Sequence, residues 1–431
     1  MSDVAVEPIT GPINATLTPP GSKSLTNRAL VLSALAEGEC ELSNVLFADD
    51  TLVMLECLGK LGFDVNIERP ALRVTVGGMG GKIPRDRAEL FCGNSGTTIR
   101  FLTALCALGR GHYNLDGIPR MRQRPIGQLV DLLKNLGGRL EYVMEPGFPP
   151  VNVIADGLPG GLIKFGGAQS SQFLSAILQV APYARHEVRV DLEGKQPSWP
   201  YVAMTMRLMD QFRSTPHLIR DTLTGEPRQI IIPQDPYVAT DYAIEPDASN
   251  AAYFLAVAAI HPGSQVTIKN LGKHSLQGDV GFVEVLERMG AGANVQKDSI
   301  TVTGAETLEG IEIDLSSMPD QAQTLAVVAL FAQGPTTIRG LHTLRVKETD
   351  RIAALATELR KLGADVEVEG DDLTIQPPDR IRPAQIDTYD DHRMAMSFAV
   401  AGTRSAGVVI KDAECVNKTY PNYFRDLATL G

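Results

Sequence analysis

Cysteine is scarce and scattered. Cys40, Cys57, Cys92, Cys106 and Cys415 are odd in number and form no CxxC pair. That spacing excludes a zinc-ribbon pattern and a disulfide framework, and it favours free thiols in a reducing cytoplasm. Tryptophan occurs once and aromatic residues make up 6%, too few for base-stacking platforms. Positive charge is in deficit, with a net charge of −11, so the broad basic face that nucleic acid requires is not expected. No apolar run reaches membrane-spanning length. The opening MSDVAVEPIT lacks the basic, apolar and small-residue regions of a signal peptide and the Arg- and Ser-rich character of a transit peptide. The expectation is a cytoplasmic protein.

What is present describes a globular chain. Its 431 residues exceed one ordinary core, and 44% hydrophobic with 21% charged residues predicts two packed domains. A unit recurs at roughly 70 to 78 residues. It starts with a small or acidic residue, runs into an Ala/Leu-rich helix and breaks at Gly or Pro. A β-rich run and a second, one-sided helix follow. The first helices are expected to start at Ser24, Ser95, Ser170, Ser249, Asp320 and Asp391, and to be buried because they are apolar nearly all round. The second helices are expected to end near Gly62, Gly137, Arg213, Gly290, Gly363 and Gly431. Short β-branched runs near His186, Gln265, Thr336, Val366 and Leu373 read as strands. Six α/β units over two domains give three each. The Pro- and Asp-rich stretch from Pro233 to Asp247 is the expected crossover. The segment GPINATLTPP lies outside the first unit and is expected to complete the far domain, leaving that domain discontinuous.

Chemistry gathers at the helix entrances. RVKETDR, Arg345 to Arg351, packs five charges at the mouth of a helix, where free N–H groups and the dipole favour anions. Lys23, Arg28, Arg100, Arg124, Lys347, Arg351, Arg393 and Lys418 are eight cations at unit edges of an acidic chain. If the entrances converge, they form a pocket for several anionic groups, with Asp320 and Glu348 available as proton carriers. Each residue has a plainer reading. Ser, Asn and Asp at such places are commonly N-caps. Arg124, Ser198 and Lys418 are loop residues of a kind usually solvated. Lys347 and Arg351 can simply pair with Glu348 or Asp350. A phosphate loop at GSKS fails because the earlier glycine and the G-K adjacency are missing. A non-catalytic repeat scaffold needs no row of cations.

Taken together and in order, PPGSKSLTNR, GNSGTTIR, RQRPIG, SSQF, PDQAQT, RVKETDR, YDDHRMAM and NKTYPNYF closely resemble the 5-enolpyruvylshikimate-3-phosphate synthase family over essentially the whole chain. The resemblance implies an α/β fold, a two-domain inside-out α/β barrel of the enolpyruvyl transferase type, with three βαβαββ units per domain. The implied domains are 22–243, and 1–21 with 244–431, meeting at a cleft that closes on ligand. It implies transfer of the enolpyruvyl group of phosphoenolpyruvate to the 5-hydroxyl of 3-phosphoshikimate, with release of phosphate, by addition and elimination. That step serves chorismate and aromatic amino acid biosynthesis in the shikimate pathway. No metal or cofactor is implied, the partners are the two small substrates, and a monomer is expected. By motif, Lys23, Ser24, Arg28, Ser170, Ser171, Gln172, Ser198, Asp320 and Lys347 should bind 3-phosphoshikimate. Lys23, Gly96, Arg124, Gln172, Arg351, Arg393 and Lys418 should bind phosphoenolpyruvate. Asp320 should be the base at the 5-hydroxyl, Glu348 should protonate the methylene carbon, and Lys23 should assist catalysis.

Two positions depart from the family pattern. Thr343 stands where Asn is usual, and Phe101 where Pro is usual. The sister family, UDP-N-acetylglucosamine enolpyruvyl transferase, uses a catalytic Cys in a mobile loop. The comparable stretch GHYNLDGIPRMRQRP has no Cys, and Cys92 and Cys106 read as core.

Overall fold

A helix start leaves N–H groups unmatched unless a nearby side chain accepts them. The first helix of almost every repeat solves this in the same way. The computed structural model describes residues 2–167 and 170–431. Ser22 accepts from the amide of Leu25 and begins helix Lys23–Leu35. Ser95 caps Gly96–Ala107, Ser170 caps Ser171–Val180, Asp247 caps Ala248–Ile260 and Asp391 caps His392–Gly402. The first and fourth helices therefore begin slightly before the expected Ser24 and Ser249, because Ser22 and Asp247 reach the free amides first. The fifth entrance differs. Asp320 lies inside a 3-10 turn, Pro319–Gln321, that leads into Ala322–Val328.

The second helices are Asp49–Lys60, Gly127–Asn135, Trp199–Gln211, Phe282–Arg288, Arg351–Lys361 and Tyr423–Ala428. They stop just short of the expected breaks. Gly363 shows why, since its φ of +102° is the left-handed turn that closes a helix end. Arg213 takes the same turn with φ +66° despite its side chain.

The chain divides into two compact units, residues 21–244 and residues 1–20 with 245–431. In the first unit, helices Lys23–Leu35, Gly96–Ala107 and Ser171–Val180 pack on one another, and every residue of Gly96–Ala107 is buried. Three four-stranded sheets cover them. Each sheet has one parallel pair and two antiparallel ones. In the second sheet Arg87–Phe91 runs parallel to Arg110–Asp116, which then pairs antiparallel with Val151–Asp156, and that strand pairs with Leu140–Tyr142. The order along the chain is βαβαββ, and a buried helix makes the parallel crossover. The first sheet takes its parallel strand from the far end of the unit: Tyr242–Ala243 lies beside Glu37–Ser43.

The second unit repeats the plan around Ala248–Ile260, Ala322–Val328 and His392–Gly402. All thirteen residues of Ala248–Ile260 are buried. Its sheets borrow from the N-terminus. Asn14–Leu17 runs parallel to Gln265–Lys269, and Val4–Ala5 pairs antiparallel with Val408–Ile410. The sixth repeat thus has a three-stranded sheet whose third strand comes from residues 4–5. No helix among the described residues is long and apolar enough to cross a membrane.

The borrowed strand gives a direct check. In a chain lacking residues 2–18, hydrogen exchange at Gln265–Lys269 should accelerate, while Arg110–Asp116 keeps its protection. Unchanged exchange at 265–269 would contradict the pairing.

Candidate functional site: two charged clusters at helix entrances

In residues 21–244 the helix entrances are linked by their side chains. Lys23 Nζ lies 3.2 Å from Asp50 Oδ2, and Asp50 is in the first turn of Asp49–Lys60. The hydroxyls of Ser95 and Thr98, 2.8 Å apart, both approach the Asp50 carbonyl. Gln172 Oε1 accepts from Arg100 at 2.6 Å, and Gln172 Nε2 donates to Thr97 Oγ1 at 3.3 Å. The first turns of Gly96–Ala107 and Ser171–Val180 are therefore neighbours. Arg124 donates to the carbonyl and side-chain oxygens of Asn94. Its guanidinium lies so close to Gly96 that a β-carbon there would stand 2.6 Å from a terminal nitrogen. Gly96 is what allows Arg124 to lie over a helix start. Arg28 is 2% exposed and donates to Thr205 Oγ1 at 2.7 Å, to Ser175 Oγ and to the Ser24 carbonyl. Phe101, also buried, places its ring 5.1 Å from the Arg28 guanidinium carbon.

In residues 245–431 the cluster centres on Arg351, the first residue of helix Arg351–Lys361. Its guanidinium donates to Asp391 through Nε (2.7 Å) and a terminal nitrogen, to Asp320 at 3.0 Å and to Glu348 at 3.1 Å. Burial alone would lower its pKa, but Asp391, Glu348 and Asp320 outweigh burial and hold it above the ordinary arginine value. Asp320 is shared. Arg393 reaches its other oxygen at 3.0 Å, and Lys347 lies 3.4 Å from the first. Glu348 has Lys418 at 3.9 Å. Arg393 also donates to the Tyr253 hydroxyl. Burial pushes that phenol up to about 12, with Arg393 and Arg351 pulling the other way. Asp390 is raised mainly by burial, against the pull of Lys418.

Two buried carboxylates support this arrangement. Glu358 accepts from the Asp387 amide and the Tyr389 hydroxyl, at 3.0 and 2.6 Å. It thereby holds the loop that presents Asp390 and Asp391. Asp279 accepts from Ser249 Oγ and from Gln321 Nε2, at 3.0 and 2.8 Å. It anchors the residue beside Asp320.

The sequence-predicted residues fall into these clusters. Lys23, Arg28 with Ser24, Gln172 with Ser170, and Gly96 with Arg124 gather in the first unit. Asp320, Lys347, Glu348, Arg351, Arg393 and Lys418 gather in the second. Arg124, Ser198 and Lys418 are buried, at 4%, 6% and 8% exposure, so the solvated-loop reading is corrected. Arg124 lies over the start of Gly96–Ala107, and Lys418 ends the 3-10 turn Ala413–Lys418. Ser198 precedes Trp199–Gln211 with φ +53°. Among the described residues Ser171 and Ser198 make no side-chain hydrogen bond to the other named residues. Arg351 does pair with Glu348, but inside a buried cluster, whereas Asp350 caps the helix and meets Arg345. The Thr343 hydroxyl is buried with no partner among the described residues.

Sequence reading missed Asp50, Ser175, Thr205, Tyr253, Asp279 and Glu358. Tyr253 carried a signal, being the one phenol in the apolar run ASNAAYFLAVAAI. Asp50 carried a weaker one, an acidic pair opening a helix. Cys92 and Cys106 are fully buried. All five cysteines are free thiols; that of Cys92 is pushed up first by a hydrogen bond with the Cys57 thiol and that of Cys106 by burial. No group of three or more His, Cys, Asp or Glu side chains suited to a metal ion occurs among the described residues.

Comparison with known proteins addresses the whole chain. The family model of EPSP synthase (3-phosphoshikimate 1-carboxyvinyltransferase) matches residues 8–427. The 3-phosphoshikimate 1-carboxyvinyltransferase of Nostoc punctiforme is 45% identical over 98% of both chains. The chloroplastic enzyme of Brassica napus is 46% identical over all of this chain and 85% of its own length. The EPSP synthase structure from Acinetobacter baumannii superposes with a TM-score of 0.81 at 26% identity, covering 99% of this chain and 98% of that one. The enolpyruvyl transferase NikO from Streptomyces tendae, at 18% identity and a TM-score of 0.77 over 100% of this chain and 97% of its own, shares the fold. With buried, charge-rich helix entrances in each unit and a family match over nearly its full length, this chain belongs to the EPSP synthase (3-phosphoshikimate 1-carboxyvinyltransferase) family.

Proposed function

We propose that this protein transfers the 1-carboxyvinyl group of phosphoenolpyruvate to the 5-hydroxyl of 3-phosphoshikimate and releases phosphate, within aromatic amino acid biosynthesis. The observation that carries the reading is Asp320, a carboxylate bracketed by Arg351, Arg393 and Lys347 within 3.4 Å. A carboxylate so placed is fixed in orientation and can take a proton where anions bind.

In the addition step the 5-hydroxyl oxygen bonds to the central carbon of phosphoenolpyruvate. Asp320 takes the hydroxyl proton, and Glu348 gives a proton to the methylene, which becomes a methyl group. In the elimination step Glu348 takes a proton back from that methyl group as the carbon–oxygen bond to phosphate breaks. The proton on Asp320 leaves with the phosphate. Protonation of the methylene develops positive charge on its neighbour, which nearby carboxylates stabilise. The departing phosphate is met by Lys23 or Arg393.

We assign Lys23, Ser24, Arg28, Ser170, Ser171, Gln172, Ser198, Asp320 and Lys347 to 3-phosphoshikimate. To phosphoenolpyruvate we assign Lys23, Gly96, Arg124, Gln172, Arg351, Arg393 and Lys418. A dense set of donors suits two ligands carrying phosphate and carboxylate groups. The reading is tested by incubating the protein with both substrates and identifying the carboxyvinyl ether by mass spectrometry. No such product from active, folded protein would reject it.

Asp320→Asn and Glu348→Gln keep size while removing proton transfer. Each should lower kcat by about 10²- to 10⁴-fold with little rise in KM. Near-wild-type turnover in both would remove their roles. Gly96→Ala forces the Arg124 guanidinium aside. Because a flexible side-chain end yields, the cost in folding stability should lie at the low end of overpacking, about 1 kcal/mol. KM for phosphoenolpyruvate should rise about tenfold or more, and the KM for 3-phosphoshikimate should hold. An unmoved Arg124 in the crystal structure of that variant would contradict this.

A further inference from the structure

Two deeply buried guanidinium groups, Arg28 and Arg351, have opposite surroundings. Arg351 meets three carboxylates. Arg28 meets the hydroxyls of Thr205 and Ser175, the carbonyl of Ser24 and the face of Phe101, all uncharged. Burial accordingly lowers its pKa, to about 9, with Tyr201 pulling the other way. Thr205 and Ser175 are themselves buried, and their hydroxyls are bonded to each other at 2.9 Å. Thr205 also donates to the Tyr201 carbonyl. The two hydroxyl acceptors of Arg28 are thus fixed to two neighbouring helices, Ser171–Val180 and Trp199–Gln211.

A guanidinium has five N–H donors in a rigid fork. Three serve Thr205, Ser24 and Ser175. Two remain, one on each terminal nitrogen, and these meet no protein acceptor among the described residues. A cation desolvated by neutral groups is costly until an anion joins it. Two adjacent donors match the two oxygens of a carboxylate or phosphate.

We infer that Thr205, Ser175 and Phe101 are positioning residues for the acceptor substrate. They fix the guanidinium of Arg28 and supply no countercharge, so that an oxyanion of 3-phosphoshikimate supplies it. The inference rests on the reading above that this chain uses 3-phosphoshikimate. A single carboxylate in the place of Thr205 or Ser175 would neutralise the cation in advance and weaken substrate capture.

The test is steady-state kinetics of Thr205→Val, Thr205→Ser and Phe101→Leu beside wild type, with direct binding of 3-phosphoshikimate and of shikimate. Thr205→Val should raise KM for 3-phosphoshikimate about tenfold and leave KM for phosphoenolpyruvate and kcat within about twofold. Thr205→Ser, which restores the acceptor, should recover the wild-type value. Phe101→Leu should show the same split and carries the test if Thr205→Val does not fold. Weakened shikimate binding in Thr205→Val assigns Arg28 to the carboxylate, and loss confined to 3-phosphoshikimate assigns it to the phosphate. An unchanged KM for 3-phosphoshikimate in an active variant, or equal rises for both substrates without rescue by serine, overturns the inference. A wild-type protein with no 3-phosphoshikimate-dependent turnover overturns instead the functional reading beneath it.

Discussion

A guanidinium ion leaves water only when other groups replace its hydration, and the two charged clusters are built round that requirement. Arg351 is matched by Asp391, Asp320 and Glu348, which come from three separate stretches of chain. A buried charge stripped of its only partner typically costs about 3–5 kcal/mol, and at Arg351 three carboxylates share that countercharge. The carboxylates are therefore fixed in place by the same bonds that keep Arg351 inside. In the proposed roles of Asp320 and Glu348 as proton carriers, a side chain already held in place gains orientation toward its substrate.

The helix starts make such clusters possible. A capped entrance leaves its remaining N–H groups facing outward, and a short polar residue there lets long cations from neighbouring turns fold over it. Gly96 is the sharpest case, since any β-carbon would meet Arg124. The fully apolar helices behind the entrances hold them still. Ala248–Ile260 has no exposed residue, and its one phenol receives Arg393. Sheets outside and apolar helices inside give each unit a packed base for its entrance side chains.

Much of this was legible in the sequence. The six Ala/Leu-rich runs became the six buried helices because apolarity all round leaves a helix no solvent face. The strands near Gln265, Thr336, Val366 and Leu373 followed from β-branched runs between breaks. The entrance cations were visible as charges set against an acidic background. What was not legible was pairing at a distance. Arg351 and Asp391 are 40 positions apart and Arg28 and Thr205 are 177 apart, and no local pattern joins them. Nor did spacing reveal that Tyr242–Ala243 serves the first sheet or that Val4–Ala5 completes the sixth. Strand exchange depends on which edges are left open once the units fold. Phe101 stood out as a departure from the family pattern, but only the coordinates give its ring a partner, Arg28.

The central claim is that these clusters serve carboxyvinyl transfer to one acceptor. The most direct measurement is phosphate release from phosphoenolpyruvate with either 3-phosphoshikimate or UDP-N-acetylglucosamine as acceptor. Release with 3-phosphoshikimate and none above background with the UDP-sugar is the predicted result. Release that depends on the UDP-sugar, or that occurs with neither, would contradict the account.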